Sequence, residues 1–134
     1  MPVLRAGDVI RDSKPVYASP EDTVEEAARI MASHNVGSVP VVDEGGRLVG
    51  IFTERDLVRL VAKYGKSALD MRLGEVMTRN PVTASPDEPL PELAHKMIEH
   101  GFRHIPVVDS EGRLLGVVSI RRVLRHLMAG SEWP

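Results

Sequence analysis

Apolar residues recur along the chain with two periods, one of helices and one of strands. Val24, Ala27, Ala28 and Met31 follow the i, i+3, i+4, i+7 spacing of a helix with one buried face. Thr23 stands just ahead with Glu26 three residues on, a capping-box pattern in which Thr23 caps and Glu26 reaches back. This helix is predicted to stop near His34 and Asn35, before Gly37. Val39-Pro40-Val41-Val42-Asp43 is a β-branched strand, its proline marking a start or an edge. Glu44-Gly45-Gly46 is a hairpin turn and residues 47–52 the return strand. Thr53 opens a second helix whose buried face is Leu57, Leu60, Val61 and Tyr64, with Lys63 and Gly65 as stop signals. Upstream, residues 15–18 read as a short strand and Ser19-Pro20-Glu21-Asp22 as a turn. Residues 1–13 form a lead-in with Val3-Leu4 and Val9-Ile10 as anchors, and residues 67–72 a connector.

The same pattern then returns. Residues 81–86 restate 15–20, and Leu90, Leu93, Ala94 and Met97 restate the first helix face. Ile105-Pro106-Val107-Val108-Asp109 restates the middle strand, Ser110-Glu111-Gly112 the turn, and residues 116–124 the strand-to-helix junction. The register is ungapped, and roughly 18 of about 44 aligned positions are identical, the mark of a duplicated supersecondary unit. Each copy reads strand, helix, strand, strand, helix, so the fold class is α/β (α+β). We divide the chain at 1–66 and 67–134. A unit of about 60 residues is marginal alone, so the two are expected to pack on each other.

Composition narrows the chemistry. Aromatic residues make up only 4% of the chain, so the core must rest on Val, Leu, Ile, Ala and Met. A net charge of −2 disfavours wholesale attraction to nucleic acid or acidic membrane. With no cysteine, there is no disulfide, thiolate metal site or cysteine nucleophile, which fits a reducing cytoplasm. No signal-like apolar core and no run of ~18 apolar residues is present, so neither export nor membrane insertion is expected. His100 and His104 are the best metal pair, yet they straddle Gly101 at a helix end, so no metal site is assigned. His34 and His100 suit the C-terminal dipole of their helices, and Asp43 and Asp109 read as turn formers. No Walker-type loop, nucleophile elbow or paired acid and base is evident, so no catalytic residue is assigned.

The junction Gly50-Ile51-Phe52-Thr53-Glu54-Arg55-Asp56 carries the most informative chemistry. A helix N-terminus leaves amides unpaired and suits anions such as phosphate. Thr53 Oγ1 is placed to cap the helix or bond a phosphate oxygen, and Asp56 offers two acceptor oxygens that match a vicinal diol. Thr53-x-x-Asp56 is equally an ordinary capping pattern, and both roles can coexist. In the second copy Ser119 keeps the hydroxyl, and Arg122 replaces the carboxylate.

The run Ser-Pro-x-x-x-Val-x-x-Ala-Ala-x-x-Met, followed by Val-Pro-Val-Val-Asp-x-x-Gly-Arg-Leu-Val-Gly-Ile-x-Thr-x-x-Asp, resembles the cystathionine-β-synthase (CBS) repeat. Two in tandem resemble a Bateman module, from about Asp8 to about Met128. The resemblance implies two β-α-β-β-α repeats packed with pseudo-two-fold symmetry and two clefts between them. It implies an adenosine-containing ligand, AMP, ADP, ATP or S-adenosylmethionine, sometimes NAD or a signalling dinucleotide, and no required cofactor; the basic residues tilt the choice towards AMP, ADP or ATP. It assigns Asp56 to the ribose, with Thr53 beside it. It implies that Val82 and Phe102 sandwich the adenine with Ile51 nearby, although core packing accounts for Val82 as well. Arg103 and His104 stand where basic residues meet phosphate. Arg121 is a further phosphate candidate or part of a solvated basic face with Arg122, Arg125 and His126.

The second cleft, with Val16, Val36, Val117, Ser119 and Arg122 at the corresponding positions, departs from the pattern. Arg122 cannot accept from a diol, so one good nucleoside site and one degenerate site are expected. The degenerate cleft would be empty or hold a bare anion, or would let Arg122 reach a ligand next door. The overall expectation is a stand-alone regulatory module that binds an adenine nucleotide, forms a homodimer and signals to a separate protein. The Leu57/Leu60/Tyr64 and Val123/Leu127 faces are candidate dimer surfaces or internal packing. A ligand-free scaffold is the first alternative. Nucleic-acid binding through Arg103, Arg121, Arg122 and Arg125 is the second, and would show a steep salt dependence.

Overall fold

A computed structural model of the chain describes residues 3–129. In chain order it contains α1 (Ala6–Ile10), α2 (Val24–His34), β1 (Ser38–Val42), β2 (Leu48–Thr53) and α3 (Glu54–Tyr64). A 3-10 helix (Gly65–Asp70), α4 (Leu73–Val76) and β3 (Thr78–Arg79) follow. The second copy supplies α5 (Leu90–His100), β4 (His104–Val108), β5 (Leu114–Ser119) and α6 (Ile120–Met128). The described residues fall into two compact units. The first-repeat unit is residues 16–81; the second-repeat unit joins residues 3–15 to 82–129.

These units group the chain differently from the sequential division at 66/67. The lead-in belongs with the second repeat, and the connector with the first. The reason lies in the short helices. A helix of four or five residues cannot stand alone, and its first amides have no internal partner. In α4 the Leu73 and Gly74 N–H groups donate to the Asp22 and Pro20 carbonyls at 2.8 and 2.9 Å. In α1 the Ala6 and Gly7 N–H groups donate to the Glu88 and Pro86 carbonyls, both at 2.8 Å. Each Ser-Pro turn thus receives a short helix, and any side chain at the glycine would crowd it: a Cβ on Gly7 or Gly74 would lie 3.1–3.2 Å from the proline Cβ.

In the first-repeat unit β1 pairs antiparallel with β2, and β2 with β3. Val24, Ala27 and Met31 from α2 pack with Val39, Val41, Phe52, Leu73 and Met77 in one core. In the second-repeat unit β4 pairs antiparallel with β5, and Leu90, Leu93, Met97, Ile105, Val107, Val118 and Val123 form the core with Ala6, Val9 and Ile10. Both hairpins slip register at the same place, between Val41 and Val42 and between Val107 and Val108. Asp43 and Asp109 close their turns as expected: Asp43 Oδ1 accepts from Gly45 and Arg47 N–H, and Asp109 Oδ1 from Glu111 and Arg113 N–H.

Three expectations change. The strand read at 15–18 shrinks to a single parallel bridge, Ala18 to Val41, and its repeat to Ala84 to Val107. Prolines on both sides limit the amides that can join a ladder, so pairing narrows to Ala18, which donates to Pro40 and accepts from Val42. In α2 the Thr23 Oγ1 accepts from Glu26 N–H at 3.2 Å, but the Glu26 carboxylate returns to the Thr23 hydroxyl rather than its amide. The apolar face of α3 is only partly covered: Leu57 and Leu60 are half-buried against the first-repeat core, and Val61 and Tyr64 are 42% and 44% exposed. The periodicity identified an apolar stripe, and periodicity does not say what covers it.

Candidate functional site at the strand-to-helix junctions

Each unit holds one junction. In the first-repeat unit β2 runs into α3 at Thr53, whose backbone is extended, as an N-cap requires. Thr53 Oγ1 accepts from the Asp56 N–H at 3.2 Å, and Asp56 Oδ2 accepts from the Thr53 N–H at 2.9 Å. The capping alternative is therefore realised. It does not exhaust the carboxylate, which has about four lone-pair sites when ionised. Oδ1 takes no hydrogen bond from the described residues, and the Thr53–Asp56 pair fixes the half-buried side chain in place. The Glu54 N–H donates to the Gly37 carbonyl at 3.1 Å. With the Glu54 and Asp56 amides both engaged, this helix start attracts phosphate less than a bare N-terminus would.

In the second-repeat unit β5 runs into α6 at Ser119, whose Oγ accepts from the Arg122 N–H at 3.2 Å. The Ile120 N–H donates to the Arg103 carbonyl at 2.8 Å, matching Glu54 and Gly37. There is no carboxylate to complete the box. Arg122 Nη2 instead donates to the Val9 carbonyl at 2.8 Å and to Ser13 Oγ at 2.9 Å. That Arg122 reaches a neighbouring ligand was one of three options for this position; both hydrogens of its Nη2 are engaged within its own unit.

The other singled-out residues divide between the units. Ile51, 7% exposed, lies in β2 two positions before Thr53. Val16 is half-buried and Val36 exposed in the same unit. Val82, Phe102, Arg103, His104, Val117 and Arg121 belong to the second-repeat unit. Val82 is 36% exposed and Val117 half-buried. Phe102 packs against the Ile105 core, and one face of its ring stacks on His100 with centroids 5.4 Å apart. His104 lies opposite Ser119 in the β4–β5 ladder. Arg103 and Arg121 are exposed, and neither guanidinium bonds to another described residue. His100, weighed as a metal partner of His104, is an aromatic neighbour of Phe102 instead. Among the described residues no group of three or more His, Asp or Glu is placed to hold a metal ion, and no helix is long and apolar enough to cross a membrane.

Sequence reasoning missed Val9 and Ser13 as partners of Arg122, and Gly37 as partner of Glu54. A signal for Val9 was present. Arg5-x-Gly7-x-Val9 restates Arg72-x-Gly74-x-Val76, which makes α1 and the residue before it a copy of Arg72 and α4.

Comparison with known proteins agrees with this architecture. Residues 6–63 and 73–129 each match the CBS domain family. The L-aspartate semialdehyde sulfurtransferase of Methanocaldococcus jannaschii is 36% identical over 92% of this chain, which spans 23% of that relative's length. A CBS domain pair solved in complex with 5′-methylthioadenosine and S-adenosyl-L-methionine superposes with a TM-score of 0.86, at 34% identity, covering 96% of this chain and 98% of that one. A CBS domain protein from Pyrobaculum aerophilum, complexed with AMP, gives a TM-score of 0.82 at 29% identity, covering 95% of this chain and 100% of that one. Two matched repeats spanning most of the sequence, each with its hairpin and its capped helix, show that the chain belongs to the CBS domain family.

Proposed function

We propose that this CBS pair is a regulatory module that takes an adenosine-containing ligand at Thr53 and Asp56, and that a separate protein reads the bound state. One observation carries the reading: Asp56 is fixed by the Thr53 N–H at 2.9 Å through Oδ2 and presents Oδ1 as a further acceptor. A ribose diol needs such an acceptor, and Thr53 Oγ1, already accepting from an amide, still has its proton to donate. Similar CBS pairs hold AMP, S-adenosyl-L-methionine or 5′-methylthioadenosine, which supports adenosine as the common element. Ile51, Val82, Phe102, Arg103, His104 and Arg121 are the remaining residues proposed to touch the ligand. A purine on Phe102 would take the ring face opposite His100. The guanidinium groups of Arg103 and Arg121, which bond to no other described residue, favour AMP, ADP or ATP over S-adenosylmethionine, whose sulfonium is cationic. The module is proposed to be non-catalytic, with the ligand shifting a population between two arrangements by binding one more tightly.

A thermal-shift panel tests this with AMP, ADP, ATP, S-adenosylmethionine, NAD and a GMP control on nucleotide-free protein. A ligand at ~100 times its dissociation constant adds about 2.7 kcal/mol of stability. Adenosine ligands are expected to raise Tm, GMP not. Asp56→Asn, which keeps the side-chain size, should weaken binding by about tenfold to a hundredfold, the value of a lost charged hydrogen bond. No shift with any adenosine ligand would defeat the reading in favour of a ligand-free scaffold. We also propose a homodimer through α3, which leaves Val58, Val61 and Tyr64 exposed, Val58 at 68%. Sedimentation should show a dimer that Val58→Glu dissociates; a monomeric wild type removes the idea.

A further inference from the structure

The two junctions differ in what lies across the helix start. In the first-repeat unit no side-chain hydrogen bond ties Asp56 to α4 or the segment after it; Arg79 turns to the Gly74 carbonyl at 2.7 Å instead. In the second-repeat unit the corresponding short helix is tied to the helix start by Arg122. Its Nη2 bridges the Val9 carbonyl in α1 and the Ser13 hydroxyl just beyond it. Guanidinium has five donors and no acceptor, so a diol's two hydroxyl protons find no receiver there. The Ser119 hydroxyl oxygen already accepts from the Arg122 amide. Arg122 is half-buried, as is Ser13, so this contact is shielded more than a surface pair is.

We propose that Arg122 closes the start of α6 to a nucleoside by clasping Val9 and Ser13, so that the chain accepts ribose only at Thr53 and Asp56. The inference rests on the nucleotide reading for its ligand, but the clasp itself has a readout without ligand. Arg122 thereby does two jobs that Asp56 cannot: it denies an acceptor to the diol, and it holds the lead-in onto the second repeat.

The test uses the full chain as wild type, Asp56→Ala, Arg122→Ala, Arg122→Asp and Ser13→Ala. Hydrogen exchange is followed by mass spectrometry, and AMP uptake by calorimetry. Arg122→Ala should speed exchange severalfold in residues 9–15 and leave residues 53–57 unchanged. Ser13→Ala, which removes one of the two acceptors, should give a smaller effect in the same segment. Wild type should take up one AMP per chain, Asp56→Ala should lose it by tenfold or more, and Arg122→Asp should take up a second. Unchanged exchange at 9–15 in Arg122→Ala overturns the clasp. A full equivalent of AMP retained by Asp56→Ala overturns the closure, as does Arg122→Asp that loosens 9–15 without a second AMP. If no variant takes up AMP while Arg122→Ala loosens 9–15, the nucleotide reading fails and the clasp is upheld.

Discussion

At the start of α3 a threonine and an aspartate bond each other; at the start of α6 a serine caps alone and the arginine beside it turns to the lead-in. The backbone is the same in both. Each N-cap is extended, and each first amide donates to the residue preceding the middle strand, Gly37 in one case and Arg103 in the other. Duplication has thus preserved the parts that make the junction fold. The side chain one turn into the helix is where the copies differ, and that side chain decides whether the junction offers an acceptor or is tied down. The two junctions share a backbone and differ in side-chain bonding, so a repeated backbone does not fix what the junction presents.

The largest expected effects test whether the two cores are as similar as the two hairpins. Phe52 and Val118 occupy equivalent strand positions and both are fully buried. Phe52→Ala should cost about 3–5 kcal/mol in urea unfolding. Val118→Ala removes two methyl groups and should cost about 2 kcal/mol, from ~0.8 kcal/mol per group plus a cavity term. Equal losses would mean that the first-repeat core collapses around the missing ring and that size at this position does not set unit stability.

Next come the glycines against which the short helices pack. A Cβ on Gly50 would meet the Met77 side chain, with Cγ at 2.8 Å, and the Thr78 carbonyl oxygen at 2.9 Å. A Cβ on Gly116 would meet Ile10 at 3.0–3.2 Å. Overpacking costs about 1–3 kcal/mol. Gly50→Ala should fall near the top of that range, because backbone cannot move aside as a side chain can, and Gly116→Ala near the bottom. Denaturant midpoints compare them directly; a larger loss at Gly116 would mean that α1 yields less readily than α4.

Much of this was legible in the sequence, and the gaps have physical causes. The repeat, both hairpins, the Asp43 and Asp109 turns and the Thr53 and Ser119 starts follow from local spacing, because caps and turns bond within a few residues. The copy of α4 within the lead-in was missed because Gly7 and Gly74 are one residue out of the register that aligns Pro15 with Pro81. The ungapped comparison therefore ends before it reaches them. The partners of Arg122 lie 113 and 109 residues away in the sequence. No local pattern encodes such a contact; only the docking of α1 beside α6 creates it. At Asp56 the sequence left two roles open; the capping role is realised, with one oxygen serving the helix while the other takes no hydrogen bond from the described residues.

The smallest expected effect concerns the caps alone. Thr53→Ala removes a side-chain acceptor at a junction where the return bond from Asp56 still reaches the Thr53 amide. Ser119→Ala removes the only side-chain cap of α6. Losing a Ser or Thr cap costs about 1 kcal/mol. If the bonds simply added, the two losses would match. The Asp56 carboxylate, however, keeps its favourable place in the first turn of α3 after Thr53→Ala, whereas the first turn of α6 contains Arg121 and Arg122 and no acid. Ser119→Ala should therefore cost more, by a few tenths of a kcal/mol, and salt should narrow the difference as it screens those charges. Urea unfolding at low and high salt measures both. A difference that persists in high salt would place its origin in packing against the lead-in rather than in the helix dipole.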